Sequence, residues 1–298
     1  MSLVATLIAN PSNPVLSVAL GQQAARHVSA VSHEWLAQGI ACDLTLAPGT
    51  SASEARSLIK DTLDGAPVDI VIQDLQSRRK KLLIADMDST MIEQECVDEL
   101  AAEAGVYEQV AAITRRAMNG EIAFEPALRE RVALLGGLDI SVVQAVLARR
   151  ITLTPGGYEL VATMKANGAY TALVSGGFTL FTNTVAQWLG FEENRANILH
   201  VENDKLTGTL ADPILGLQAK VDALVELTST RGLSVEDALA VGDGANDLGM
   251  LRLAGSGTAL HAKPIVAAEA KIRIDHGDLT ALLYLQGYSQ SDFVKVTE

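Results

Sequence analysis

The stretch KLLIADMDSTMIE (residues 81–93) decides how the rest of the chain is read. An apolar run, Leu82 to Ala85, follows a basic start and leads straight into two aspartates, Asp86 and Asp88, separated by Met87. A short apolar run bounded by polar residues reads as a buried strand. Two carboxylates at its end repel each other, and neither has a cation adjacent in sequence. Relief must come from elsewhere in the chain, or from something the chain binds.

Downstream, the same pattern recurs. The runs at 170–175 (YTALVS) and 238–242 (ALAVG) are also short and apolar, and each ends in Ser or Gly. Strands that apolar on both faces suit the centre of a parallel sheet covered by helices. Helical spacing at 157–167, 179–190 and 219–232 supplies the cover. The expected fold class is therefore α/β, a doubly wound parallel sheet whose sites lie at the carboxyl ends of its strands. Between the first core strand and the next, residues 93–168 carry an almost entirely helical pattern. That is far longer than a crossover helix needs. The excess predicts a helical cap inserted at about 93–155. Residues 198–212 alternate around a polar turn and predict a β-hairpin.

Residues 1–76 predict a small N-terminal α/β domain, with strands at 3–9, 42–47 and 68–75 and helices at 18–38 and 53–63. The basic run SRRKK (77–81) reads as a solvated linker, and the catalytic core is expected over 77–298.

The composition narrows the function. At 298 residues, 48% of them hydrophobic, the chain can bury a sizeable core. A net charge of −13 argues against a nucleic-acid partner, which requires a positive surface. Cys42 and Cys96 lie far apart and form no C-x-x-C, which suits a reducing cytosol. The first positive charge is Arg26 and no apolar run approaches membrane length, so a soluble, cytoplasmic protein without a membrane partner is expected.

Four features fall at strand ends or helix starts: DMDST (86–90), SGG (175–177), Lys220 and GDGAND (242–247). Taken singly, each has a plain structural reading: a helix cap, a turn, a surface lysine. On one edge of one sheet they mean more. Asp86, Asp88, Asp243 and Asp247 cannot all stay ionised in one cleft without a cation. Oxygen ligands with no His or Cys nearby favour Mg²⁺. Ser175, with the amides of Gly176 and Gly177, offers neutral donors to a phosphoryl oxygen. Lys220 brings a balancing positive charge. The set describes phosphoryl transfer through an aspartyl-phosphate. Other phosphate chemistries drop out. The chain has no Gly-Lys dipeptide for a Walker A loop and no G-x-S-x-G, and its five histidines show no metal-ligand spacing.

Read in order, D-x-D-x-T at 86–90, Ser175, Lys220 and G-D-G-x-x-D at 242–247 resemble the four signatures of haloacid-dehalogenase-type phosphatases. The resemblance implies Asp86 as nucleophile and Asp88 as general acid and base. It also implies a metal held by the Asp86 carboxylate, the Asp88 main-chain carbonyl and Asp243, with Asp247 close by. The segments 86–101, 124–138, 173–179 and 241–250 look like the phosphoserine phosphatase branch, over roughly 81–285. That resemblance implies that Glu95 meets a substrate ammonium and Arg131 its carboxylate, with Met118 and Phe124 nearby and Asn246 near the phosphoryl group. A zwitterion does require one fixed anion and one fixed cation, and Arg grips a carboxylate bidentately. The expected activity is hydrolysis of O-phosphoserine to serine and phosphate, the last step of serine biosynthesis. The alternatives are another small-molecule phosphatase or phosphotransferase of the same family, and a non-catalytic sensor. A sensor predicts loss of one of Asp86, Asp88, Lys220 or Asp243, and none is lost. Some long relatives carry a regulatory module of βαββαβ order, but only three strands and two helices are read in residues 1–76. Binding an amino acid, forming a homodimer and supporting the core are the three roles open to that segment.

Overall fold

The computed structural model describes residues 2–118 and 121–295, the side chain of Met118 excepted. Its N-terminal part contains β1 (Leu3–Ala9), α1 (Val18–His27), β2 (Ser32–Ala37), β3 (Ala41–Thr45), α2 (Ala52–Leu63) and β4 (Val68–Asp74). The strands form an antiparallel sheet in the order β2-β3-β1-β4. Here the sequence reading needs correcting, because residues 18–38 are not one helix. The Ser17 side chain caps α1 at the Leu20 amide, the helix ends at His27, and Ser29 turns the chain through φ 51°. Residues 32–37 then pair with β3, placing Trp35 opposite Cys42. Val28, Val31 and Trp35 fit helical spacing equally well, so sequence pattern alone could not reject it; strand pairing decided the outcome. The order is therefore βαββαβ, with the fourth strand hidden in the stretch read as helix.

The run 77–81, read as a solvated linker, needs a second correction: Ser77, Arg79 and Lys81 are exposed, but residues 78–80 make fixed contacts. Arg78 forms a 2.6 Å ion pair with Asp43, which also accepts from Thr6 at 2.7 Å. Arg79 stacks over Tyr288, 3.9 Å from the ring centre. Lys80 is buried, donates its side chain to the Glu236 carbonyl at 2.7 Å and takes the Gln286 side-chain oxygen on its amide at 3.1 Å. Asp69 adds a further link between the two parts, accepting the amides of Asp275 and Gly277 at 2.8 Å each.

The chain then enters β5 (Leu82–Ala85) and a helical insertion, α3 (Cys96–Glu103), α4 (Tyr107–Met118), α5 (Phe124–Ala133) and α6 (Ser141–Arg149). It returns through α7 (Gly157–Ala166), β6 (Tyr170–Phe178), α8 (Thr179–Leu189) and β7 (Glu193–Asn197). A hairpin follows, β8 (Leu199–Glu202) and β9 (Lys205–Leu210), as alternation had predicted. Asn203 and Asp204 at its tip have φ 50° and 60°, the pair of left-handed residues that a two-residue hairpin turn demands. The remainder is α9 (Leu217–Thr230), β10 (Ala238–Gly242), α10 (Leu248–Leu253), β11 (Ser256–Leu260), α11 (Pro264–Glu269), β12 (Ile272–Ile274) and α12 (Ala281–Tyr284).

The six-stranded sheet has the order β12-β11-β10-β5-β6-β7, and every neighbouring pair is parallel. Its central strands show why their sequences are apolar throughout. Leu83, Ala85, Leu173, Leu239 and Val241 pack on one face with residues of α7 and α8. Leu82, Ile84, Ala172, Val174, Ala238 and Ala240 pack on the other with residues of α9 and α10. The expected doubly wound fold is what the chain adopts. Among the described residues no helix is long and apolar enough to cross a membrane.

Candidate active site

Parallel pairing brings the ends of β5, β6 and β10 to one edge. The Asp86 amide continues the ladder beyond β5, donating to the Val241 carbonyl at 3.0 Å. The four signatures therefore converge, and they divide into two groups.

The first group surrounds a lysine. Lys220, in the first turn of α9, is fully buried, and its Nζ lies 2.6 Å from Asp86 Oδ1 and 2.6 Å from Asp247 Oδ1. The Met87 amide donates to Asp86 Oδ1 at 2.8 Å, and the Gly244 amide to Asp247 Oδ2 at 3.0 Å. Asp243 accepts from Thr90 at 3.4 Å. Carboxylate oxygens of Asp86, Asp243 and Asp247 lie within 4.8 Å of one another, the group among the described residues able to hold a metal ion. Burial, then the charge of Asp86, pushes Asp243 and Asp247 up to about 7. Burial alone would lower Lys220, but Asp247 and Asp86 outweigh it and hold the ammonium above its ordinary range. One buried cation does not satisfy three carboxylates. The donor set is all oxygen, so it fits a hard divalent ion.

The second group surrounds Asp88, whose side chain turns away from the lysine. Its Oδ1 accepts the Cys96 amide at 2.8 Å, at the start of α3, and its Oδ2 accepts the Ser175 hydroxyl at 3.3 Å. Burial, then the charges of Glu95 and Asp86, raises the Asp88 carboxyl to about 7. The Gly177 amide donates to Ser175 Oγ at 2.8 Å. This departs from the sequence expectation, in which that amide faced a phosphoryl oxygen directly; here it orients the serine. Gly177 is itself required by packing, because a Cβ there would lie 2.7 Å from Asp88 Oδ2. Asn246 is half-buried in the short turn after β10, its Oδ1 folded against Gly244.

The insertion contributes the remaining candidates. Glu95 is the residue just before α3 rather than a member of it, and it accepts the Ser89 hydroxyl at 2.7 Å. Burial raises its pKa, the Ser89 hydrogen bond and the charge of Lys263 opposing. Arg131, on α5, donates to the Ala127 carbonyl at 3.3 Å and, among the described residues, forms no ion pair. Burial lowers its pKa, while the charges of Asp98, Glu95 and Asp88 raise it. Glu95 and Arg131 thus feel each other without touching. Phe124 opens α5 and lies over a floor of two glycines; a Cβ at Gly176 would sit 3.4 Å from its ring, and one at Gly216 3.3 Å. A groove of about 410 Å³ lined by Phe124, Pro126, Ile214, Gly216 and Leu217 opens beside it. The side chain of Met118 lies outside the described residues.

Sequence reasoning missed two participants. Thr90 was part of a quoted motif but had no assigned part. Lys263, half-exposed and 3.9 Å from Asp243, follows a strand that carried no sequence signal.

The family of haloacid dehalogenase-like hydrolases matches residues 83–252. Phosphoserine phosphatases of Archaeoglobus fulgidus and Streptomyces coelicolor are 41% and 39% identical to this chain over 233 and 241 residues. These alignments cover 78% and 81% of this chain but 67% and 57% of those proteins, so the chain spans about three-fifths to two-thirds of their length. The unliganded structure of a probable phosphoserine phosphatase from Vibrio cholerae superposes with a TM-score of 0.79 at 31% identity, covering 98% of this chain and 88% of that one. That alignment includes the N-terminal sheet as well as the core. By sequence and by structure, this chain belongs to the haloacid dehalogenase-like hydrolases.

Proposed function

We propose that this protein hydrolyses O-phosphoserine to serine and phosphate in the cytosol, with Mg²⁺ as cofactor. The observation that carries the reading is the separation of the two motif aspartates into unlike surroundings. Asp86 lies 2.6 Å from the Lys220 ammonium, which favours its carboxylate as the nucleophile. Asp88 forms no ion pair with a lysine among the described residues, is raised to about 7, and can hold a proton at neutral pH. Two carboxyl groups held apart in this way divide into nucleophile and acid.

On this reading Asp86 attacks phosphorus while Asp88 gives its proton to the departing seryl oxygen. Serine leaves, and Asp88, now a base, takes a proton from the water that cleaves the aspartyl-phosphate. Ser175 and Lys220 hold phosphoryl oxygens throughout. Asp86, the Asp88 main-chain carbonyl, Asp243 and Asp247 would hold Mg²⁺, which when bound supplies positive charge to the phosphoryl oxygens. Glu95 and Arg131 bind the ammonium and the carboxylate; their separation without an ion pair supports a gap filled by a zwitterion. Phe124, seated on its glycine floor, keeps water from the cleft until the product has gone.

The test is Mg²⁺-dependent phosphate release from a panel of phosphomonoesters that includes O-phospho-L-serine. Asp86→Asn should abolish turnover. Arg131→Ala should harm O-phosphoserine more than O-phosphoethanolamine, which lacks the carboxylate. Preference for a sugar phosphate or a nucleotide would overturn the substrate, and appreciable turnover by pure Asp86→Asn would overturn the nucleophile.

A further inference from the structure

The residue between the two catalytic motif positions, Asp88 and Thr90, is in an uncomfortable conformation. Ser89 has φ 53°, the left-handed region that glycine or asparagine fills at less cost. A serine held there is over-determined by its surroundings, and strain of this kind gathers where a side chain has work to do. Its backbone closes a tight loop, the amide donating to the Gln94 carbonyl at 3.2 Å. Glycine would close that loop as well or better. Only the hydroxyl is left to justify a serine, and among the described residues it makes one bond, to Glu95 Oε1 at 2.7 Å.

Glu95 is equally out of pattern. It occupies the cap position of α3, where Ser, Thr, Asp or Asn is preferred, and its side chain makes no capping bond. Asp88 caps that end instead, through the Cys96 amide at 2.8 Å. The Glu95 carboxylate is thereby released from its own helix. A free glutamate carries considerable rotamer entropy, which a ligand contact would have to overcome. Anchoring one oxygen removes most of that freedom, while among the described residues the other accepts no hydrogen bond and stays open to a ligand.

We infer that Ser89 is a positioning residue for amine recognition: its hydroxyl fixes one carboxylate oxygen of Glu95 so that the other is pre-set for a substrate ammonium. The inference rests on Glu95 being the ammonium contact. It makes the strained loop part of substrate selection rather than of phosphoryl transfer.

The test compares O-phospho-L-serine with 3-phosphonooxypropanoate, the same skeleton without the ammonium, in the Mg²⁺-loaded full-length enzyme. The readout is the ratio of their kcat/KM values. Ser89→Ala removes the hydroxyl and keeps the strain; Ser89→Gly removes both. In each the ratio should fall about tenfold, through a higher KM for O-phospho-L-serine, the size expected for loss of a hydrogen bond to a charged group. Ser89→Gly should melt no lower than Ser89→Ala, which keeps the readout available if the alanine variant folds poorly. Equal losses on both substrates, leaving the ratio unmoved, would mean that the hydroxyl serves only the loop, and the inference fails. Glu95→Gln separates the two ideas. If it lowers the ratio and the Ser89 variants do not, the Ser89 inference alone is overturned. If it leaves the ratio unmoved, the ammonium assignment of Glu95 falls and the Ser89 inference falls with it.

Discussion

Gly177→Ala is the sharpest available probe of how tightly the proposed acid must be held. Gly177 is not among the residues with positive φ, so alanine brings no backbone strain and its effect is steric alone. The new methyl would lie 2.7 Å from Asp88 Oδ2 and 3.1 Å from Ser175 Oγ, where ordinary contact begins at 3.4 Å. Something must therefore move by about 0.7 Å. A carboxylate at the end of a free side chain would swing aside cheaply, but this one is pinned by the Cys96 amide at 2.8 Å and by Ser175 at 3.3 Å. Overpacking of this sort costs about 1–3 kcal/mol, and a displacement near 1 Å at a reacting group costs on the order of a hundredfold in rate. The expected result is a kcat for O-phospho-L-serine reduced by roughly 30-fold or more, with KM changed little because the proposed substrate contacts, Glu95, Arg131 and Lys220, are untouched. Gly176→Ala is the matched control. Its methyl meets only the Phe124 ring at 3.4 Å among near neighbours, so the loss should be several times smaller. Steady-state kinetics at saturating Mg²⁺ decide the matter. A kcat for Gly177→Ala within about twofold of the wild type would show that Asp88 tolerates displacement, and the reasoning would be wrong.

Two further predictions concern stability. Asp243 and Asp247 stand near 7 in the folded protein through burial and then the charge of Asp86, well above the ordinary carboxylate value, so the folded state holds protons that the unfolded state releases. Without metal, stability should therefore fall as pH rises from about 4 through 7. Melting curves in EDTA at pH 6 and pH 8 should show the lower Tm at pH 8, and Mg²⁺ should raise Tm more at pH 8 than at pH 6; the reverse order would contradict the buried cluster. At the junction of the N-terminal sheet and the core, Arg78→Ala leaves Asp43 buried without its 2.6 Å partner, a loss of about 3 kcal/mol. Thermal melts should show a clear drop that the double variant Arg78→Met/Asp43→Asn partly restores. A single variant melting with the wild type would return residues 77–81 to the status of a solvated linker.

How far the sequence could be read follows from the range of each signal. The centre of the core sheet was legible because strands buried on both faces are apolar throughout, and the motif residues stand immediately after them. The edges were not. β7 reads ENRAN, polar as an edge strand is; β12 has only three residues; and β11 contains Gly257, whose absent side chain leaves room for the Leu251 carbonyl. Lys263 went unseen because it is reached through β11. β2 was lost to a different ambiguity, apolar residues that satisfy a period of 3.6 as well as a period of 2. The basic run at 78–80 failed for a third reason: its partners are one acid inside β3, the ring of Tyr288 and backbone or side-chain carbonyls elsewhere in the chain, none of them near in sequence. At the site, the placement of the motifs at strand ends indicated which groups meet, while the hydrogen bonds that divide Asp86 from Asp88 depend on side-chain directions that no spacing encodes.

The charge balance of the first group separates a working site from a structural ion-pair network. A network kept for stability tends towards neutrality, because an uncompensated charge in the interior costs several kcal/mol after relaxation. Asp86, Asp243 and Asp247 cluster beside a single buried ammonium that pairs with Asp86 and Asp247, so when all are ionised the cluster is left with two negative charges. Replacing Asp243 by asparagine would keep the shape and relieve the repulsion, and selection for folding alone would favour it. Lys263 does not supply the deficit, being half-exposed and 3.9 Å from Asp243, where solvent screens it. The missing charge matches that of one divalent ion. The cluster is thus incomplete as a piece of architecture, and on the proposed reading the ion that neutralises it would also present positive charge to a phosphoryl group. The mutual repulsion of Asp86, Asp243 and Asp247 is then no defect of the fold, because it would drive binding of the proposed ion.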